Sequence, residues 1–278
     1  MRVSEGRTSS ARRYATALIA ALTLTAVVTG RAHGDDLAPD EIMRRNFMVG
    51  KVRDSRAELT MTLTNESGAR RERSTLGFTK LAENGIDQKR VVRFLTPADV
   101  KGTATLLIEH SDGDDDIWIY LPALRKVRRL VANNKKDSFV GTDFSYGDVI
   151  GQKVEEWTHT LIGKETVDGV GTFVVESAPR TDAVRETSGY AKRKTWVRQD
   201  NFVAIKSQYW DTAGALLKES AGRDVREIDA ANHNWQAFSV SMHNVQTGHT
   251  TDIVWTKIEV GVGLADDVFT ERTLEKES

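Results

Sequence analysis

Residues 114–149 read DDDIWIYLPALRKVRRLVANNKKDSFVGTDFSYGDV, and three segments of different character follow one another there. The first is strand-like and apolar on both faces. Ile117, Ile119 and Leu121 point one way; Trp118 and Tyr120 point the other. Pro122 ends it, because proline cannot donate to a ladder and fixes φ. The second segment alternates Leu124, Lys126 and Arg128 with Arg125, Val127 and Arg129. The third is an aromatic loop punctuated by Gly141 and Gly147. A strand apolar on both faces needs two covers, or one cover and a ligand. Either the aromatic pair or the aliphatic trio meets that ligand. Ring size favours Trp118 and Tyr120, since large rings line a cavity that small aliphatic residues must fill.

Outward from this stretch the same period of two prevails. Ala57, Leu59, Met61 and Leu63 alternate with Glu58, Thr60, Thr62 and Thr64. A strand with Leu76 and Phe78 follows, then a hairpin signal at Asn84-Gly85, then residues 90–95. Thr96 to Gly102 breaks the run and is short enough for one helical turn; Ala104 to Ile108 resumes it. Beyond Gly151, strands are expected at 156–167, 172–177, 191–198, 202–210, 216–219, 223–228, 236–245 and 251–260. Asp40, after Pro39, is expected to cap a helix carrying Ile42, Phe47 and Met48, and Leu264 to Leu274 reads as a short terminal helix. About a dozen short strands with few helices predict a large antiparallel sheet. A sheet that wide curls into a barrel or half-barrel.

The start of the chain reads as an export signal. Arg12 and Arg13 precede an uncharged run from Ala15 to Thr29, and the small residues Ala32 and Gly34 suit cleavage before Asp35. The run is shorter than the ~20 residues that span a bilayer. Residues 1–34 are therefore expected to be a signal peptide, and residues 35–278 one domain in the periplasm. Sec and twin-arginine export both stay open. Without 1–34 the chain keeps 34 basic and 39 acidic residues, a net charge of −5, which does not point to nucleic acid. There is no cysteine, which excludes disulfides, thiolate metal sites, cysteine catalysis and a lipid-modified cysteine.

Catalytic patterns are absent from the sequence. The six histidines form no His-x-x-x-His pair, and there is no Gly-x-Ser-x-Gly or phosphate loop. No enzyme activity, metal or cofactor is expected. Residues 112–116 (DGDDD) lack the spaced ligands of a calcium loop and read as a solvated acidic turn. Two features remain. Arg125, Lys126, Arg128 and Arg129, with Lys135 and Lys136, form a basic cluster: a solvated strand face, or a contact for anionic headgroups or an acidic partner. The tryptophans, with Met61, Phe78 and Phe94, pack a core or line an apolar cavity in a curved sheet.

The run 116–129 (DIWIYLPALRKVRR) and the loop 141–148 (GTDFSYGD), with Phe94-Leu95-x-Pro97, Lys101-Gly102 and Thr195-Trp196-Val197, resemble LolA-like outer-membrane lipoprotein-sorting proteins. The resemblance is to a branch with Trp-x-Tyr-x-Pro and Thr-Asp-Phe-x-Tyr motifs, and spans about 39–269. It implies an α+β, mostly β fold: a curved antiparallel half-barrel of about eleven strands, with a few helices over its concave face. It also implies an apolar cavity that accepts acyl chains. Met61, Phe78, Phe94, Trp118, Tyr120, Phe144 and Trp196 are the expected lining. The expected function is a periplasmic carrier or chaperone for lipid or lipoprotein acyl chains, working toward the outer membrane. The partner is an inner-membrane transporter or an outer-membrane acceptor. The alternative is a non-enzymatic adaptor docking on a lipid-exporting transporter through the basic strand.

Overall fold

The computed structural model describes residues 37–131 and 135–276. The expected signal peptide lies outside the described residues. A helix, α1 (Pro39–Met48), leads into six strands: β1 (Asp54–Thr64), β2 (Arg70–Leu81), β3 (Gln88–Thr96), β4 (Ala104–Ile108), β5 (Asp116–Leu121) and β6 (Lys126–Leu130). A long connection carries the short helix α2 (Tyr146–Ile150). Then come β7 (Trp157–Val167), β8 (Val170–Pro179), helix α3 (Asp182–Ser188), β9 (Tyr190–Arg198), β10 (Ala204–Asp211), β11 (Leu216–Asp229), β12 (Asn234–Asn244) and β13 (His249–Val260). A helical turn, α4 (Glu271–Leu274), closes the described chain.

The thirteen strands of the described residues form one antiparallel sheet in the order β6-β5-β4-β3-β2-β1-β13-β12-β11-β10-β9-β8-β7. The fold is the expected α+β, mostly β half-barrel, with thirteen strands where about eleven were expected. The chain starts at the middle of the sheet, walks out to one edge at β6, and must then reach the other edge at β7. Residues 135–156 lie on that route as a strap across the concave face. Phe139, Phe144, Tyr146 and Ile150 of the strap are buried against Met61, Val92, Leu107, Ile117 and Ile253 of the sheet. Helix α1 covers the neighbouring part of the same face, where Ile42 and Met43 pack on Phe173, Val175 and Val197. The helix begins with Pro39 rather than with an Asp40 cap: Ala38 is the N-cap and makes no side-chain bond. Proline suits the first helical position because its φ is preset and its missing N–H has no partner there anyway.

The opposite, convex face has its own cover. Leu264, Val268, Phe269 and Leu274 lie over Phe78, Val91, Leu106, Trp118 and Tyr120. This answers the double-faced strand of the sequence: β5 has the strap under its aliphatic side and the C-terminal segment over its aromatic side. Arg93 anchors that segment, donating from Nη1 to the carbonyls of Lys276 at 2.9 Å and Leu274 at 3.4 Å, and from Nη2 to that of Thr273. Charged donors often satisfy the free carbonyls at a helix end in this way. The expected pair of strands at 216–219 and 223–228 is one strand, β11, because the small residues Ala221 and Gly222 pair in register with Ser241 and Val240.

Arg93→Met removes those bonds while keeping the stem of the side chain. It is expected to lower stability by about 1.5–3 kcal/mol and the thermal midpoint by roughly 3–12 °C. Thermal unfolding followed by circular dichroism checks this, and an unchanged midpoint would show that Arg93 does not hold the segment.

Candidate functional site

Strap and helix do not fill the concave face. Between them and the sheet lies a cavity of about 520 Å3, within the range of small-molecule sites. Its floor is built from alternate positions of β1, β2 and β13: Ala57, Leu59 and Met61, then Gly77 and Thr79, then Ile253 and Trp255. Phe139, Phe144, Val149 and Ile150 of the strap and Met43 and Phe47 of α1 supply the roof. At Gly151, with φ of +95°, strap and helix nearly touch: a Cβ would meet the Phe47 ring at 3.3 Å.

The cavity runs toward the strand ends that carry the 81–88, 198–204 and 229–234 turns. A second, more open cleft of about 640 Å3 lies there and shares Val49, Lys51 and Trp235 with it. Asn234 pins α1 at this end, donating to the carbonyls of Val49 at 3.1 Å and Lys51 at 3.2 Å.

Charged side chains line a mostly apolar space. Lys51 and Glu109 form a buried ion pair, and Lys51 also donates to the carbonyl of Ile86 at 2.8 Å. Burial pushes the Glu109 carboxyl up and the Lys51 ammonium down from their ordinary values, each opposed by the other's charge. Arg90 donates to the carbonyl of Val149 and, at 2.7 Å, to Gln88 Oε1. Asp148 is held hardest. Its Oδ2 accepts from Lys218 Nζ at 2.6 Å and from the Ser145 N–H at 2.8 Å, and Tyr190 Oη donates to its Oδ1 at 2.9 Å. Burial works to raise its pKa; Lys218 and these bonds outweigh that and hold it below the ordinary carboxylate value. Lys218 also donates to the carbonyl of Asp143 at 3.1 Å. Asp143 exchanges two bonds with Thr251 on β13, through its N–H at 3.0 Å and its Oδ2 at 2.7 Å. The Thr-Asp-Phe-x-Tyr loop is thus the fastening of the strap to the sheet. Among the described residues no cluster of three His, Cys, Asp or Glu is placed to hold a metal ion.

This architecture recurs in solved structures. A domain described as an outer membrane lipoprotein-sorting protein from Vibrio parahaemolyticus superposes with a TM-score of 0.78 at 29% identity, covering 86% of this chain and 98% of that one. A DUF1329 family protein from Desulfovibrio piger also gives 0.78 at 29% identity, covering 85% and 97%. A LolA superfamily protein from Nitrosomonas europaea shares the fold, with a TM-score of 0.66 at 19% identity over 86% and 100%. A family model described only as "uncharacterized protein" matches residues 86–276. The chain belongs to the family that this model describes. No curated protein matches it in sequence.

Within this fold the expected lining divides. Met61 and Phe144 line the cavity. Phe94 faces the same side but is buried under Phe139, with ring centroids 6.2 Å apart. Phe78, Trp118 and Tyr120 face away, beneath the C-terminal segment. The preference for Trp118 and Tyr120 as cavity residues is thereby corrected: ring size cannot reveal that the far face has a cover of its own. Trp196 also lies outside the lining, its Nε1 donating to Glu165 at 2.6 Å with Lys194 and Lys206 beside the ring. Residues 112–116 are not wholly solvated either. Asp115 is buried, paired to Lys135 at 2.6 Å. Arg125, Lys126, Arg128 and Arg129 lie exposed on or beside the edge strand β6, and Arg129 pairs with Asp116. The register puts the β5–β6 turn at the strand ends opposite the cleft.

Of the tryptophans read as core or cavity residues, Trp235 and Trp255 line the cavity; Lys51, Arg90, Glu109 and Arg193 are charges there that the sequence reading missed. A signal existed for the arginines. Arg90 shares its strand face with Val92 and Phe94, and Arg193 shares its face with Val197, so each is a charge at an inward position.

Asp148 makes the site pH-dependent in a defined sense. Its folded-state pKa is depressed, so its contribution is complete above the unfolded value and is lost as pH falls through the folded one. Lys218→Met leaves the carboxylate buried without its counter-charge. This variant is expected to lose about 3–5 kcal/mol at neutral pH and to regain part of it on acidification, as the isolated carboxyl takes up a proton. Urea midpoints measured from neutrality down to about pH 4 check it. A deficit constant across that range would show that Asp148 and Lys218 are not electrostatically coupled.

Proposed function

We propose that the protein is a periplasmic carrier that holds the acyl chain of a lipid or lipoprotein in the cavity beneath strap and α1, on its way toward the outer membrane. The supporting observation is an apolar floor left uncovered by protein side chains, in a fold shared with a protein described as sorting outer-membrane lipoproteins. Burial of hydrocarbon supplies the affinity, about 0.8 kcal/mol per CH2. The reading is non-enzymatic, because Lys51, Arg90, Glu109 and Asp148 are engaged in holding strap and helix rather than arranged as nucleophile and base. Export by a cleavable N-terminal signal belongs to the same proposal.

The chain purified from its own envelope is expected to carry lipid, seen by native mass spectrometry and solvent extraction, and to take up a fluorescent fatty acid when delipidated. Ala57→Trp, which fills the floor, is expected to reduce that uptake at least tenfold, a loss of ~1.4 kcal/mol, slightly less than the burial of two methylenes. A chain that carries no lipid and takes up no probe would rule the carrier out.

A second reading rests on the basic hairpin. Arg125, Lys126 and Arg128 are exposed with no ion pair among the described residues, beside Leu124, which is 62% exposed. An adaptor would use this edge against an acidic face of a membrane transporter. Reversing the three charges is then expected to abolish recovery of the protein with inner-membrane fractions while fatty-acid uptake persists. Recovery that survives the reversal would leave the cluster as an edge guard, which charged edge strands commonly provide.

A further inference from the structure

Three cations line the cavity, Lys51, Arg90 and Arg193, together with two carboxylates, Glu109 and Asp148. Both carboxylates are already engaged, Glu109 by Lys51 and Asp148 by Lys218. Among the described residues the two guanidiniums therefore have no carboxylate of their own. Arg90 is occupied with Val149 and Gln88. Arg193 is not: among the described residues it makes no ion pair, and its Nε is closed off from solvent with no acceptor in reach. Its guanidinium carbon stands 5.1 Å from the centre of the Trp157 ring, which steadies the plane of the group without giving its N–H groups an acceptor. Asp148, Tyr190 and Tyr209 are close enough to act on its charge, yet Asp148 is committed to Lys218, Ser145 and Tyr190.

A guanidinium held against apolar surface without an acceptor is unfavourable until an anion joins it. Its planar fork matches a carboxylate or phosphate with two parallel bonds. The same cavity offers hydrocarbon a floor of Ala57, Leu59, Met61 and Ile253. We propose that the cavity takes an anionic amphiphile whose carboxylate or phosphate group lies inside, against Arg193, with its hydrocarbon along that floor. The inference rests on the carrier reading and names its ligand class. It differs from a head-out arrangement, in which chains enter and the polar group stays at the mouth.

Calorimetric titration of the delipidated protein with palmitate, palmitoyl lysophosphatidate and hexadecanol tests it. At least one anionic ligand is expected to bind roughly tenfold or more tightly than the alcohol. A preference led by palmitate marks a carboxylate ligand; one led by the lysophosphatidate marks a phosphate ligand. In Arg193→Met the preference is expected to collapse toward unity, and in Arg193→Lys, which keeps the charge, to return in part. Hexadecanol binding by each variant is the folding control, and Arg193→Gln replaces Arg193→Met if that variant does not fold. Equal affinities for all three ligands in the wild type, or a preference that survives loss of the charge, would overturn the proposal and leave the carrier standing. Binding of none of the three would overturn both.

Discussion

Asp148 carries a buried negative charge, and the concave side of the molecule is assembled around meeting it. The carboxylate caps α2 through Ser145, accepts from Tyr190 on β9, and pairs with Lys218 on β11. Strap, β9 and β11 thus converge on one group. Removing one partner of a buried pair leaves an uncompensated charge at a cost of about 3–5 kcal/mol. That is a large share of the stability of an ordinary domain. The strap needs such an anchor. It is a long irregular segment laid across an open sheet, with one five-residue helix and little ladder bonding of its own. Its position is set by side chains that reach the sheet.

The topology explains why a strap exists at all. Strands β1 and β13 meet at the centre of the sheet, and the two halves unwind outward to unpaired edges at β6 and β7. Each half closes by short turns, but the connection between the edges has to cross the whole width. Crossing on the concave side buries Phe139, Phe144 and Tyr146, with the last two rings contributed by the loop itself. Phe139 and Tyr146 meet edge to face, centroids 5.3 Å apart, an arrangement aromatic pairs favour. The strap covers part of the face and α1 another part. What remains between them is the cavity.

The period of two made the sheet legible, and the Asp114–Val149 stretch made the need for two covers legible. Which cover lay where was not, because alternation says that two faces differ and not which is concave. Trp118 and Tyr120 were placed on the wrong side for that reason. Helices α2 and α3 also escaped the reading. Each is a few residues long, too short for periodicity to show. Their caps were nevertheless present: Ser145 with Asp148 at the capping-box spacing, and Thr181 accepting from the Val184 N–H at 3.2 Å. The aromatic and glycine content of 139–147 masked the first. Long-range pairs such as Asp148 with Lys218, seventy positions apart, leave no local trace.

Charges on an inner sheet face are usually structural, and most of these are. Arg73 reaches the carbonyl of Val140 at 2.6 Å, Arg90 that of Val149, and Lys218 that of Asp143 at 3.1 Å. Each holds a different point of the strap by one of its free carbonyls, and each would be present in a protein with no ligand at all. Lys51 and Glu109 likewise join the end of α1 to the turns at the mouth. Against that pattern Arg193 stands apart. It sits at the same inward register, beside the same strap, and reaches neither a strap carbonyl nor a carboxylate. A methionine would fill the place at far lower electrostatic cost. The charge therefore answers to something other than the strap, and the space it faces is the cavity.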